Sequence, residues 1–134
     1  MRVLVTGSRD WADEGVVRHE LAELAIKNGW KTFTVMHGGC PTGADAMAAT
    51  WCQDVGVTEE VYLADWKTHG RAAGPRRNQQ MVDIGADLCL AFIGPCTSPR
   101  CNLPGAHDSH GATGCAALAE QAGITTRRYR SEDL

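Results

Sequence analysis

The residues best suited to chemistry gather in three short, polar segments rich in glycine. Each lies where an apolar run typical of a strand meets a run typical of a helix: residues 6–10 (TGSRD), 37–45 (HGGCPTGAD) and 109–114 (SHGATG). Glycine lets a backbone approach a ligand closely, and the unpaired N–H groups at a helix start favour anions. These three glycine segments therefore predict a binding site for a small ligand that carries a phosphate group.

Each glycine segment is expected to contribute residues to this site. The ligand-binding candidates are Gly7, Ser8, Arg9 and Asp10 from the first segment, Gly38, Gly39, Gly43 and Asp45 from the second, and Gly111 and Thr113 from the third. Asp45 opens a predicted helix, so it either stabilises the helix dipole or contacts a ribose or a metal, or acts as a general acid or base. Its position in the sequence does not separate these interpretations.

A cluster of cations gives the proposed site its positive charge. Arg76, Arg77 and Asn78 occupy the first turns of a predicted helix that starts near Pro75. Because the helix dipole disfavours arginine at that end, an anionic ligand explains these side chains better than a solvated face does. Aromatic residues in nearby loops, Trp11, Trp66 and His69, could stack on a base or simply pack against the protein.

A set of thiols and imidazoles could bind a metal. It comprises Cys96, Cys101, His107 and His110, within a stretch rich in proline and glycine. Two thiolates and two imidazoles form a complete tetrahedral set for a structural zinc ion, which would order a loop that lacks a core of its own. The alternatives are cysteines without a ligand role, a His110 that faces the ligand, or Cys115 in place of one zinc ligand.

The elements that must position these residues alternate along the chain. Five strands are expected, at residues 3–5, 33–36, 61–63, 88–93 and 124–129, and four helices, at residues 12–27, 44–54, 75–84 and 115–122. This alternation predicts a mainly parallel sheet with right-handed crossovers in a three-layer α/β domain. Residues 1–134 are expected to form one domain, with 94–111 as a loop insertion that includes the metal candidates.

The composition is that of a globular domain. The chain has 134 residues, 43% of them hydrophobic, and a formal net charge of -3, which makes a nucleic-acid partner less favoured. No signal peptide or membrane-spanning run is evident, so we expect a cytoplasmic protein without a membrane partner, whose six cysteines form no disulfide framework. The Walker pattern and the dinucleotide fingerprint are both absent, and we expect no organic cofactor.

Four motifs taken together resemble a known group of proteins. They are GSRDW, HGGCPTGADAMA, GPRRNQQM followed by GADLCLAF, and SHGATGCAALAEQAGI, which span nearly the whole chain. In order and spacing they are similar to the YspA-related branch of the SLOG superfamily. The resemblance implies a Rossmann-like domain that binds a nucleotide or a nucleotide-derived ligand, as a sensor or processing module.

The same superfamily includes the LOG phosphoribohydrolases and the DNA-processing protein A family. The resemblance to LOG enzymes makes Arg77 the counterpart of a catalytic arginine that contacts substrate. Their late acidic loop falls on Gly111–Cys115, where Gly114 and Cys115 replace the carboxylates. Hydrolysis of a glycosidic bond generally needs such a group, so Asp10 or Asp45 would have to substitute.

Nucleotide binding is thus the leading prediction, and two alternatives stay open. One is cleavage of the N-glycosidic bond of a nucleoside 5′-monophosphate, with Arg77 and Asp45 as the catalytic candidates. The other is binding of single-stranded DNA, which the acidic balance makes least favoured. The sequence also leaves open whether the chain forms a homo-oligomer.

Overall fold

Strands and helices alternate along the chain. The computed structural model describes residues 1–95 and 110–130. The strands are β1 (Arg2–Gly7), β2 (Thr34–His37), β3 (Thr58–Val61), β4 (Leu88–Ile93) and β5 (Thr125–Arg130). The helices are α1 (Glu14–Asn28), α2 (Gly43–Val55), α3 (Trp66–His69), α4 (Ala73–Ile84) and α5 (His110–Gln121), with a 3-10 turn at Gly70–Ala72.

The five strands form one parallel sheet in the order β3-β2-β1-β4-β5. The chain first moves outward from β1 to β2 and β3, and then returns to the other side of β1 for β4 and β5. The order therefore reverses between β1 and β4, which is where ligands bind in open α/β sheets, at the carboxyl ends of the strands. The predicted parallel α/β fold is confirmed.

Apolar residues fill the space on both faces of the sheet. Val3 and Val5 point into a core that contains Val17 and Leu21 of α1 and Trp51 of α2. Leu4, between them on β1, points to the opposite face, where its core cluster includes residues of α4 and α5, Met81 and Cys115 among them. Every residue of β4 is buried, as expected for an interior parallel strand.

Local signals explain where several helices start and stop. The Asp13 carboxylate accepts a hydrogen bond from the Val16 N–H and so caps α1. Gly56 ends α2 in the left-handed conformation, with φ 76°. Asp65 accepts from the Thr68 N–H, which starts the short helix α3 inside a stretch that we expected to be a polar loop.

Two predicted boundaries are wrong. β3 starts at Thr58 and ends at Val61, where we expected the strand to begin, so Leu63 lies beyond it. α5 begins at His110, five positions before the predicted start at Cys115. The helix extends backward because Ala112 is buried on the same face as Cys115 and Ala116 and packs with Ala91 and Ile93 of β4.

The earlier start of α5 changes the third glycine segment. From His110 onward this segment is helix, and nothing lies within 4 Å of the positions that a Cβ would take on Gly111 and Gly114. Residues 110 and 111, which we expected to belong to the loop at 94–111, are therefore helical. No helix in the described part of the chain is long and apolar enough to cross a membrane.

Candidate functional site

The first two glycine segments meet at the carboxyl edge of the sheet. Gly43 starts α2 with φ 72°, and a Cβ at this position would overlap the carbonyl oxygen of Ser8 and the carbonyl group of Arg9. A Cβ on Gly7 would overlap that of Ala44 and lie 3.0 Å from the Phe92 carbonyl oxygen. These two glycines therefore let the start of α2 lie directly against the end of β1.

Ser8 ties the ends of β1 and β4 together. Its N–H donates to the Phe92 carbonyl at 3.0 Å, and its hydroxyl oxygen accepts from the Gly94 N–H at 2.7 Å. The side chain is buried, but its hydroxyl proton is not used by this bond. Ser8 thus supplies a fixed hydroxyl at the point where the strand order reverses.

The aromatic loop residues differ in their placement. Trp11 is buried, donates its indole N–H to the Asp13 carbonyl, and packs against Phe92 with ring centroids 5.6 Å apart. Its packing role is confirmed, and stacking on a base is wrong for this residue because its ring belongs to the core. Trp66 is about half exposed at the start of α3, and His69 at its end is exposed.

Arg77 joins α4 to the ends of two strands. Its Nη1 donates to the Gly38 carbonyl at 2.6 Å and to the Tyr62 carbonyl at 3.3 Å, and its Nε donates to Asn78 Oδ1 at 2.9 Å. A Cβ on Gly38 would overlap the guanidinium, so this glycine makes room for Arg77. Nη2 forms no hydrogen bond with the described residues.

A buried histidine holds the second glycine segment in place. The Gly39 N–H donates to His37 Nδ1 at 2.9 Å, and His37 Nε2 lies 2.8 Å from Glu59 Oε1. Because a backbone N–H can only donate, His37 Nδ1 is the acceptor. The proton of this imidazole is therefore on Nε2, which donates a hydrogen bond to Glu59. This arrangement fixes Gly39, whose φ is 71°.

Neither His37 nor Glu59 was among the site residues predicted from the sequence. The available signal was that the two residues lie on adjacent parallel strands, with Glu59 two positions before Val61, the residue that pairs with His37. It was unusable because pairing of β2 with β3 needs the boundary of β3, which the sequence placed too late.

Asp45 is the buried carboxylate of the site. Its side chain lies in the first turn of α2, and the residue is only 7% exposed. Oδ2 accepts from the Cys40 N–H at 3.3 Å, whereas Oδ1 has no hydrogen-bond partner among the residues that the structure describes. Burial raises the pKa of this carboxyl, an effect offset in part by His37, the Cys40 N–H, Arg77 and the Gly38 N–H.

Cys115 is one of the two positions at which the resemblance to LOG enzymes implies an acidic residue. It is fully buried on α5, close to the Thr6 hydroxyl and within electrostatic range of Asp45 and Arg77. Burial raises the pKa of this thiol to about 11, so it is neutral and a poor nucleophile near pH 7.

The other predicted site residues lie around this centre. Asn78 is buried and accepts from Arg77, whereas Arg9, Asp10 and Arg76 are exposed. Thr113 lies in the first turns of α5, where its hydroxyl donates to the His110 carbonyl at 3.3 Å. Gly111 is exposed on the same helix. The centre is therefore built from the first two glycine segments and Arg77, with α5 beside it.

Most of the predicted zinc set, namely Cys96, Cys101 and His107, lies outside the described residues. Within 1–95 and 110–130, no group of three or more metal-ligating side chains could hold a metal ion. Zinc binding stays a prediction.

We expect metal analysis of the purified protein to find about one zinc ion per chain, and a chelator to lower its Tm. A Cys96→Ser/Cys101→Ser variant should lose the metal, whereas Cys40→Ser, a change outside the set, should keep it. Metal-free wild-type protein with an unchanged Tm in chelator would contradict the prediction.

Comparison with known proteins gives two matches. Residues 1–69 match the family described as YAcAr: YspA, cpYpsA-related SLOG family. The Gene 61 protein of Mycobacterium phage D29 is 44% identical over 96 residues, which cover 68% of this chain and 75% of the phage protein. No solved structure gives a significant match. The family match includes the first two glycine segments, with Ser8, His37 and Asp45.

Proposed function

The chain belongs to the YspA, cpYpsA-related SLOG family, and on that premise we propose that it binds a nucleotide or nucleotide-derived ligand. The binding site is the carboxyl edge of the sheet, beside the point where the strand order reverses between β1 and β4. The protein would act as a sensor or processing module, with the ligand's phosphate as its main anchor.

The observation that carries this proposal is the position of Arg77. Its guanidinium crosses from α4 to the carbonyls at the ends of β2 and β3 and leaves Nη2 unused by the described residues. A planar cation fixed in this way beside a glycine-rich backbone can bind a phosphate oxygen without further loss of side-chain freedom. The Ser8 hydroxyl and the exposed Arg9 at the end of β1 add polar groups at the same edge.

Binding without turnover is better supported than hydrolysis. The positions of the late acidic loop of LOG enzymes hold Gly114, exposed on α5, and the neutral thiol of Cys115. Neither can stabilise an oxocarbenium-like transition state or activate water. A hydrolase at this site would have to use Asp45 or the exposed Asp10, and the raised pKa of Asp45 suits a general acid.

We expect at least one nucleoside 5′-monophosphate among AMP, GMP, CMP and UMP to raise the Tm of the protein. A ligand at 100 times its Kd stabilises the folded state by about 2.7 kcal/mol, which is a shift of several degrees for a domain of this size. Differential scanning fluorimetry measures it, with the matching nucleosides as controls that lack the phosphate and should shift the Tm less.

Three results would change the proposal. Absence of any shift with the four nucleotides would contradict nucleotide binding. Release of free base, detected by chromatography, would make the protein a glycosidase rather than a binding module. Tight binding of a single-stranded oligonucleotide that falls steeply with salt would favour DNA as the ligand.

A further inference from the structure

One oxygen of the site stands out in the hydrogen-bond network. Among the described residues, Asp45 Oδ1 is the buried side-chain nitrogen or oxygen atom that has no partner. A buried carboxylate oxygen without a donor costs folding free energy, and folded proteins rarely leave such atoms unpaired. The Oδ1 position is therefore costly in the ligand-free protein.

The neighbours of Asp45 do not supply the missing donor. The Cys40 N–H is taken by Oδ2, and the Gly39 N–H by His37. Arg77 directs its Nη1 and Nε to other oxygens. The Gly38 N–H lies near enough to lower the pKa of Asp45 as a backbone donor, but it does not complete a hydrogen bond to Oδ1. The free oxygen thus lies at the start of α2, among groups that are already committed.

The chemistry of a carboxylate limits what could pair with Oδ1. A phosphate would be repelled, so the N-terminus of α2 is not where the phosphate binds, although a helix start would otherwise favour it. A divalent cation needs several oxygen ligands, and the described residues contain no such group. Of the groups that a nucleotide carries, this leaves a neutral hydroxyl or amino group as the partner of Oδ1.

We propose that Asp45 Oδ1 accepts a hydrogen bond from a ribose hydroxyl of the ligand, so that the site discriminates against the deoxy analogue that lacks this hydroxyl. The inference rests on the proposed function, because it assumes that a nucleotide occupies this edge. Arg77 is close enough to Asp45 for its positive charge to lower the pKa of the Asp45 carboxyl. With the phosphate on Arg77, the sugar is the part of a nucleotide next to it, and the base lies farther away.

The first test compares ribonucleotides with their deoxy analogues. Isothermal titration of the wild-type protein with the nucleoside 5′-monophosphate that binds best should show that its 2′-deoxy or 3′-deoxy form binds at least about tenfold more weakly. Asp45→Asn should weaken binding of the ribonucleotide by a similar factor and remove the difference in affinity between it and the deoxy analogue. The reason is that the asparagine amide presents N–H groups at the position where Oδ1 accepts.

The second readout is the stability of the ligand-free protein. Burial holds the pKa of Asp45 above its unfolded value, against the opposing effects of His37, Arg77 and the N–H groups of Cys40 and Gly38. The Cys115 thiol of α5 is near enough for Asp45 to raise its pKa. The folded state therefore binds the proton more tightly, and stability falls as the pH rises from about 4 through the raised pKa. Asp45→Asn should have an equal or higher Tm than wild type at pH 7, with the difference shrinking at low pH.

A matched control makes the same chemical change at another helix start. Asp13→Asn at the cap of α1 should leave both the Tm and the nucleotide affinity unchanged, because asparagine caps as well as aspartate. Both deoxy analogues binding as well as the ribonucleotide would overturn the inference while the proposed function stands. A lower Tm for Asp45→Asn with discrimination intact would make Asp45 a structural cap. If no nucleotide binds, the proposed function fails and this inference fails with it.

Discussion

Gly43→Ala is expected to lower the free energy of unfolding by about 3 kcal/mol or more. Gly43 has a φ of 72°, which an alanine adopts only with strain, and the new methyl group would overlap the Ser8 carbonyl oxygen. That oxygen cannot easily move, since it accepts from the Trp11 N–H while the Ser8 N–H is bonded to Phe92. The added methyl group must therefore push α2 away from β1.

Gly56 at the other end of α2 provides the matched control. Its φ is 76°, but no atom lies within 4 Å of the position of the new Cβ. Gly56→Ala should therefore lower the free energy of unfolding only by the strain of the left-handed conformation, about 1 kcal/mol. Urea unfolding measures both variants. Equal losses would show that backbone conformation alone, and not the contact with Ser8, determines the cost at Gly43.

The same substitution should also affect the ligand site. Since Gly43 holds the start of α2 against Ser8, a displaced helix would move Asp45 relative to Arg77. Nucleotide affinity should then fall in any Gly43→Ala protein that remains folded, whereas Gly56→Ala should bind as the wild type does.

The architecture could be predicted because its signals are local. Short apolar runs alternate with helical periodicity, and the continuous apolar run of β4 is typical of a buried interior strand. Element ends were less predictable. α5 starts earlier than expected because Ala112 packs on Ala91 and Ile93, a contact between residues more than 18 positions apart in the sequence.

The site was predictable in its residue types but not in its contacts. Glycine at 38 was expected to admit a ligand, yet the guanidinium of Arg77 occupies the space beside it. The role of His37 depends on Glu59 of a neighbouring strand, and the unpaired oxygen of Asp45 is defined by what its neighbours already bind. Such properties arise from the three-dimensional arrangement, so spacing along the chain does not reveal them.

Arg77 has two roles in this arrangement, and they make different predictions. As a structural group, it satisfies the carbonyls of Gly38 and Tyr62 and so joins α4 to β2 and to the end of β3. As a ligand group, it offers Nη2 to a phosphate. A variant that loses only the contact with the phosphate would have reduced nucleotide affinity and unchanged stability. A variant that also loses the bonds to the two carbonyls would have reduced affinity and reduced stability.

We expect Arg77→Ala to lose both roles. It removes the charged donors to two carbonyls, which should lower the free energy of unfolding by about 2–4 kcal/mol, and it should weaken nucleotide binding at least about tenfold. Arg77→Lys keeps the charge but not the planar fork that reaches both carbonyls, so it should recover only part of each loss. Urea unfolding and isothermal titration separate the two effects.

Arg127→Ala serves as the control, because this arginine is exposed on the edge strand β5 and should change stability by no more than about 0.5 kcal/mol. Full nucleotide affinity in a folded Arg77→Ala protein would place the phosphate elsewhere and leave Arg77 with a structural role alone. Unchanged stability would mean that the bonds to Gly38 and Tyr62 add nothing to the fold. The strongest support would be that Arg77→Lys, compared with Arg77→Ala, recovers more of the stability than of the nucleotide affinity. The lysine ammonium can reach one carbonyl, but it cannot also present the free edge of a guanidinium to the phosphate.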